Sequence, residues 1–538
     1  MGAAGLIVAL ALVAGWRVGT ELPDEGTAAQ EEQPEQGGVL RMAVERPGHL
    51  DPALARTMPV SESVVADLLF DGLTAPGAEP GQVEPALADS WEPSDDQRSW
   101  KFFLRPGARF ADGDEVTAED VVATLTRIAR KDSGSPVSPL LAPVQGYRAL
   151  AVDGSTQELV GVTAPETDVV RIDLDEPVAT LPDLLSAPAF GIVPKATAPI
   201  GEDTMFDRAP TGSGPFALAD GEKLSGGDDE GARLVRAQGG RTLLAGIELQ
   251  FHDEVAQAAE SFAKGAADWS VVPDDAIDEP VGPSRLDRVA LPATLFYGID
   301  LTSPKLADPR LREAIVRAVD RDAIAEEVYG RALEPTTGVV PEAAGGDAGT
   351  DPCDGRCDHD PERAKALVKE TFPTGPVPEV AIDVDDGAVQ MKVADAIVAD
   401  LREVGIPAAA KPHPLPEFRT FASAVPGQEM LRFGWVGTYA APDSVLRPLF
   451  TSGSPDNVVG VSDPAIDGAL DKAAIEPDPE ARAELFAEAE RAAMGHLAVL
   501  PLGQFVTHVA VADHVRDLQT RPGATFDATR VWLAADER

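Results

Sequence analysis

The chain has 538 residues, with 45 Lys and Arg against 90 Asp and Glu for a formal net charge of −45; 44% of its residues are apolar, 25% are charged and two are cysteines. A charge this negative repels phosphate backbones and anionic membrane surfaces, which argues against any nucleic-acid partner. The apolar and charged fractions are those of an ordinary globular protein, neither disordered nor polytopic, and the length allows about two to four domains at roughly 100–200 residues each.

Gly2 to Trp16, GAAGLIVALALVAGW, carries no charge. At about fifteen residues it falls short of the roughly 20 that a bilayer-crossing helix needs, and it reads better as a signal-peptide core. Leu12-Val13-Ala14-Gly15 resembles a lipobox, but Trp16 stands where the lipidated cysteine belongs, so lipidation there is not possible. Residues 1–18 are therefore expected to be an export segment, uncleaved or alternatively cleaved, with a short membrane anchor as the other reading. Residues 19–38 are acidic and nearly free of large apolar side chains, as in a flexible tether spanning roughly 25 Å. The implied location is the outer face of the cytoplasmic membrane or the cell envelope.

In VLRMAVE at 39–45, Leu40, Met42 and Val44 alternate with Arg41 and Ala43, which predicts a strand. Thr117 followed three residues later by Asp120 opens a helix over 117–130, with Val121, Leu125 and Ile128 on one face. Strand alternation returns at 169–174 and 245–251, with the Gly-rich acidic loop 221–231 between them. The second half is richer in helices. Asp308-Pro309, Asp360-Pro361 and Asp478-Pro479 each open one, Val389, Val393, Ile397 and Leu401 repeat at helical spacing up to Gly405, and a strand lies at 381–384. The class is α/β.

Cys353 and Cys357, in DPCDGRCDHD, are close enough for a local disulfide, the expected state in an exported protein. Asp351, Asp354, Asp358, His359 and Asp360 crowd the same loop, yet their spacing fits neither a zinc site nor an EF-hand, and no metal is expected. Enzyme motifs are lacking: there is no H-E-x-x-H, no phosphate-binding G-x-x-x-x-G-K-[ST], and Ser261-Phe262-Ala263-Lys264 has no companion S-D-N or K-T-G. Neither catalysis nor a cofactor is expected.

Six ordered segments resemble the family 5 extracellular solute-binding proteins of ABC importers, the oligopeptide, dipeptide and nickel-binding group. They are Asp51-Pro52, EPALADSWEPSDDQRSWKFFLRPGARFADGDEVTAEDVVATLTR at 84–127, TGSGPF at 211–216, DPRLREAIVRAVDRDAI at 308–324, HDPERAKALV at 359–368 and VLPLGQF at 499–505. The resemblance covers about residues 37 to 535. It implies a two-lobed periplasmic-binding (Venus-flytrap) fold with an extra subdomain inserted in the first lobe. Lobe I is then expected from 39–54, 186–290 and 501–538, the inserted subdomain from 55–185, and lobe II from 291–500. The implied protein is a monomeric receptor that closes over a small, peptide-like solute and delivers it to an ABC permease and ATPase complex. A second reading is a non-transport envelope scaffold that kept the fold and lost peptide binding.

In peptide-binding relatives a G-W-x-x-D-Y segment sets an aspartate against the ligand's ammonium group. The corresponding residues here are Gly434-Trp435-Val436-Gly437-Thr438-Tyr439, with Thr438 in place of the carboxylate. A hydroxyl cannot supply the charge-assisted bond that offsets burial of an ammonium. Asp443 is a candidate to replace the charge, with a helix N-terminal role as its alternative, and Asp300 is another candidate. Phe433, Trp435 and Tyr439, with Phe296 and Tyr297 on the expected lobe-crossing strand, are suited either to ligand contact or to packing between lobes. Gly437 in the same segment and Met58, in the Thr-Met-Pro stretch at 57–59, complete the candidate ligand-binding set.

Overall fold

The computed structural model describes residues 34–57, 60–79, 81–197, 199–201, 204–220, 222, 230–238, 240–277, 284–346, 349–422 and 428–534. The export segment, most of the tether, most of loop 221–231 and Met58 lie outside the described residues.

One eleven-stranded sheet runs through both lobes. Two strands link its halves: Ser284–Ile299 and Val499–Ala512 are long, antiparallel and paired from Ser284–Ala512 to Gly298–Val499. On the lobe I side lie Trp269–Val272, Val39–Glu45, Gly246–His252, Gly231–Arg236 and Phe216–Leu218; on the lobe II side lie Met430–Val436, Val380–Asp385 and Ala408–His413; Leu333–Pro335 pairs with Val499–Ala512 off this path. The first strand is flanked by parallel neighbours on both sides. Burial on both faces follows, so Ala43 is as inaccessible as Leu40 and Met42. Arg41 stays at this position because Asp268 accepts from its backbone N–H at 2.9 Å and from its Nε at 3.1 Å.

Each lobe has its own apolar core. Leu40, Met42, Leu68, Trp269 and Phe526 belong to that of lobe I, and Ile315, Val393, Ile397, Leu446 and Met494 to that of lobe II. The subdomain is a four-stranded antiparallel sheet, Ala88–Pro93, Ser99–Leu104, Val169–Asp173 and Val162–Glu166, under the helix Ala118–Ala129. Trp100, Phe102, Phe110, Val121 and Leu125 fill its core. Most of the segment 84–127 is thus scaffold.

The terminating and capping signals act as their chemistry requires. Thr117 N–H donates to Asp120 Oδ2 at 2.8 Å in a capping box, and Asp308, Asp360 and Asp478 cap helices that begin with proline at the next residue. In the helix Ala388–Glu403, Val393, Ile397 and Leu401 are buried but Val389, in the first turn, is exposed. Cys353 and Cys357 form a disulfide with a Cα–Cα distance of 5.6 Å. The acidic residues around it serve the backbone: Asp351 accepts from Cys353 N–H at 3.0 Å, and Asp360 accepts from Arg363 N–H.

The turn TGSGPF has a steric reason for its glycines. A Cβ on Gly212 would stand 1.8 Å from the Leu69 carbonyl oxygen, and one on Gly214 would stand 2.5 Å from the Leu69 carbonyl carbon. No side chain fits where this turn crosses the end of the helix Val60–Leu69.

Candidate functional site

The ladder between the two crossing strands shifts register at two places, between Ala290 and Thr294 and between Leu295 and Phe296. The first shift frees the carbonyl of Pro292, which accepts the Gly437 N–H at 2.6 Å. That bond fixes the loop after the strand Met430–Val436 against the crossing strand. Trp435 holds the same loop from its other side, its Nε1–H donating to the Ser444 carbonyl at 2.7 Å. Gly437 leaves no room for a side chain, since a Cβ there would lie 2.9 Å from Ser444 Oγ and 3.4 Å from the Pro292 carbonyl.

Held in this way, Thr438 and Tyr439 face a cavity of about 60 Å³ where lobe I, the subdomain and lobe II meet. Its other walls come from far apart in the sequence: Arg56 and Thr57 after the Asp51-Pro52 turn, Ala187 to Ala189 from the subdomain, Pro292, Ala343, and the turn Pro522 to Thr525. Gly523 and Ala524 in that turn both have positive φ, at 78° and 62°. The Thr525 hydroxyl is buried without a partner among the described residues. Larger depressions exist, of about 520 Å³ beside Arg321 and Glu490, about 400 Å³ beside Asp71 and Arg105 and about 350 Å³ beside Trp269 and Phe505, but none of these is lined by Thr438 or Tyr439.

The approach to the cavity is braced by a buried ion pair. Asp51 caps the short turn Pro52–Leu54, accepting from Ala53 N–H at 3.2 Å, and also receives two N–H groups of Arg127, with Nη1 to Oδ1 at 2.9 Å. Asp51 is fully buried and Arg127 nearly so. The last arginine of the segment 84–127 thereby orients the chain that carries Arg56 and Thr57.

Next to the cavity, lobe II is fastened to the subdomain. Thr180 Oγ1 donates to Asp443 Oδ2 at 2.5 Å, and Ala179 N–H donates to the Ala474 carbonyl at 2.9 Å. Tyr439 packs against the subdomain core. Asp443 and Asp183 are both buried here, and burial raises both carboxyls above the ordinary range. Asp183 is pushed up to about 7 by desolvation, opposed by Arg482 and reinforced by the charge of Asp443. Burial likewise raises the Tyr439 hydroxyl, with the Asp443 charge adding to it.

The remaining candidates lie elsewhere. Phe296 and Tyr297 are inside the lobe II core, the Phe296 ring 5.5 Å from that of Phe433 and the Tyr297 hydroxyl buried without a partner among the described residues. Phe433 itself lines a shallow depression with Leu415, Phe418 and Arg432, apart from the cavity. Asp300 accepts from Thr302 N–H at 2.8 Å and from its hydroxyl at 2.6 Å, which closes a turn. Ser261 Oγ donates to Gln250 while Lys264 pairs with Glu260, so the S-x-x-K residues have separate structural partners. Sequence reasoning passed over Arg56, the residue just before the Thr-Met-Pro stretch, and also Pro292, Thr180 and Thr525.

A two-lobed α/β molecule joined by two crossing strands, with a cavity at the junction, is the architecture of a solute receptor. The model of the bacterial extracellular solute-binding proteins, family 5, matches residues 82–457. The chain belongs to this family. It is similar to the periplasmic murein peptide-binding protein MppA of Escherichia coli, with 25% identity over 90% of each chain. A protein of the same organism described as a probable deoxycholate-binding periplasmic protein, YgiS, is 28% identical over 56% of this chain and 58% of its own. The unliganded open form of MppA superposes with a TM-score of 0.79, covering 93% of this chain and 98% of that one at 22% identity, which shows the shared fold. This family member is accordingly an extracytoplasmic solute-binding receptor of an ABC importer and not an enzyme. Among the described residues no helix is long and apolar enough to cross a membrane, and no cluster of ligating side chains is placed to hold a metal.

Proposed function

We propose that the cavity bounded by Arg56, Thr57, Pro292, Thr438, Tyr439 and Thr525 is the solute site, and that the solute is a peptide-like or similarly sized organic molecule. The observation that carries this reading is the convergence on one cavity of lobe I, the subdomain, a crossing strand and lobe II. A solute there touches both lobes at once only when they meet, so its binding energy favours the closed arrangement. At about 60 Å³ the cavity holds a handful of waters, and a larger solute enters with the lobes further apart. MppA supports a peptide-like solute, while YgiS shows that the name of a relative does not restrict the class to peptides. Transport is favoured over the scaffold reading because lobe I, the subdomain and lobe II still converge on one cavity.

Thermal unfolding in the presence of tripeptide, bile-salt and oligosaccharide collections tests the proposal. At about 100 times its dissociation constant a true ligand adds about 2.7 kcal/mol of stability. Thr438→Trp, which fills the cavity, is expected to abolish that stabilisation while leaving the unliganded protein folded. Stabilisation that survives Thr438→Trp unchanged moves the solute to another part of the molecule.

A further inference from the structure

We propose that the cavity selects solutes presenting a carboxylate or a neutral polar group to it, and rejects those presenting an ammonium, with Arg56 as the residue that sets this preference. The inference rests on the assignment of the solute site to this cavity. It begins from an inventory of charge: the lining contains four prolines, six alanine or glycine residues, one valine, hydroxyls from serine, threonine and tyrosine, and Arg56, but no aspartate or glutamate. The protein as a whole carries −45, so a site of this size without a carboxylate stands against the composition of the chain.

Of the acidic groups behind the wall, Glu62 is taken by Arg56 and one oxygen of Asp443 by Thr180, while Asp443 Oδ1 is buried without a partner among the described residues. Glu62 accepts from Arg56 N–H at 2.8 Å and from Arg56 Nη2 at 3.3 Å. Asp443 accepts from Thr180, and burial drives its carboxyl toward the neutral form. An ammonium entering the cavity exchanges its water for hydroxyls and carbonyls alone, which leaves its desolvation uncompensated. A carboxylate meets the opposite situation. The Arg56 side chain is 61% exposed, and among the described residues its Nε and Nη1 donate to no protein acceptor. Those N–H groups, with Thr438 on the cavity wall, supply donors for an anionic or neutral polar end. Overall charge and local charge thus point in different directions, and contact energies are decided locally.

The test uses the purified protein and four matched tripeptide libraries, namely free, N-acetylated, C-amidated, and both acetylated and amidated, with deoxycholate as a non-peptide anion. Binding is read by native mass spectrometry and calorimetry. N-acetylated peptides with a free carboxylate, or deoxycholate, are expected to bind at least roughly tenfold tighter than peptides with a free ammonium and an amidated end, and Arg56→Gln is expected to reduce that preference by roughly tenfold. Thr438→Asp is expected to bring in binding of free-ammonium peptides. Tighter binding of free-ammonium peptides by the unaltered protein overturns the charge inference and leaves the receptor site in place. No binding of any probe to the unaltered protein, while Thr438→Asp also binds none, overturns the site assignment itself and the charge inference with it.

Discussion

Arg127 and Asp51 show how a single pair can decide whether a binding segment exists. Both groups are buried, so removing one strands the other without water or counter-charge. Arg127→Ala is expected to cost about 3–5 kcal/mol in chemical denaturation, and to mobilise residues 52–57 as read by hydrogen exchange. A loss below about 1 kcal/mol, the range of an exposed pair, would mean that the pair is not buried in solution. The two residues belong to different segments of the family resemblance, 76 positions apart, and their bond was not legible in the sequence. In the sequence Asp51-Pro52 is one family segment and Arg127 the last residue of another. Only the fold shows that one is the counter-ion of the other.

At the scale of elements, the local signals were the readable part. Thr117 with Asp120 and the Asp-Pro pairs at 308, 360 and 478 identify helix starts because capping is decided within four residues. The aromatic candidates were harder to place for the converse reason. Phe296 and Tyr297 lie on the crossing strand, but which half of a 16-residue strand lies in the core depends on pairing with Met430–Val436 and Val499–Ala512, and no local pattern encodes that. The bond from Thr180, just before the helix Leu181–Leu184 of the subdomain, to Asp443 at the start of Asp443–Phe450 in lobe II belongs to the same category. It has a chemical consequence. Asp183, raised to about 7, keeps its proton in the folded protein where an unfolded aspartate, at about 3.9, has lost it. Its carboxyl therefore imposes no penalty below about pH 4 and a growing one up to about pH 7, above which the penalty is constant. Asp183→Asn should then be more stable than the unaltered protein at pH 8, with the difference shrinking to nothing near pH 4. Equal stability of the two at pH 8, or a gap that widens on acidification, would contradict the assignment of a buried, raised carboxyl at the lobe contact.

For the whole molecule, the sheet is the mechanism. A single sheet continues from lobe to lobe through two antiparallel strands, so relative motion of the lobes is carried by backbone rather than by a flexible linker. The α/β class and the two-lobed form were legible, the first from alternating periodicities and the second from the six family segments. The cavity was not, because its walls come from segments between Ala55 and Thr525 that only the closed chain path brings together. Thr438 and Tyr439 were the exceptions, singled out because Gly434 to Tyr439 resembles the family's G-W-x-x-D-Y segment with Thr438 in place of the aspartate.

Whether this junction binds a solute is decided by native mass spectrometry of protein purified gently from its own cells and then denatured to release what it holds. The account predicts a stoichiometric organic molecule that is absent when Thr438→Trp is purified in the same way. Protein that carries no molecule, and that none of the solute collections stabilises, would contradict it.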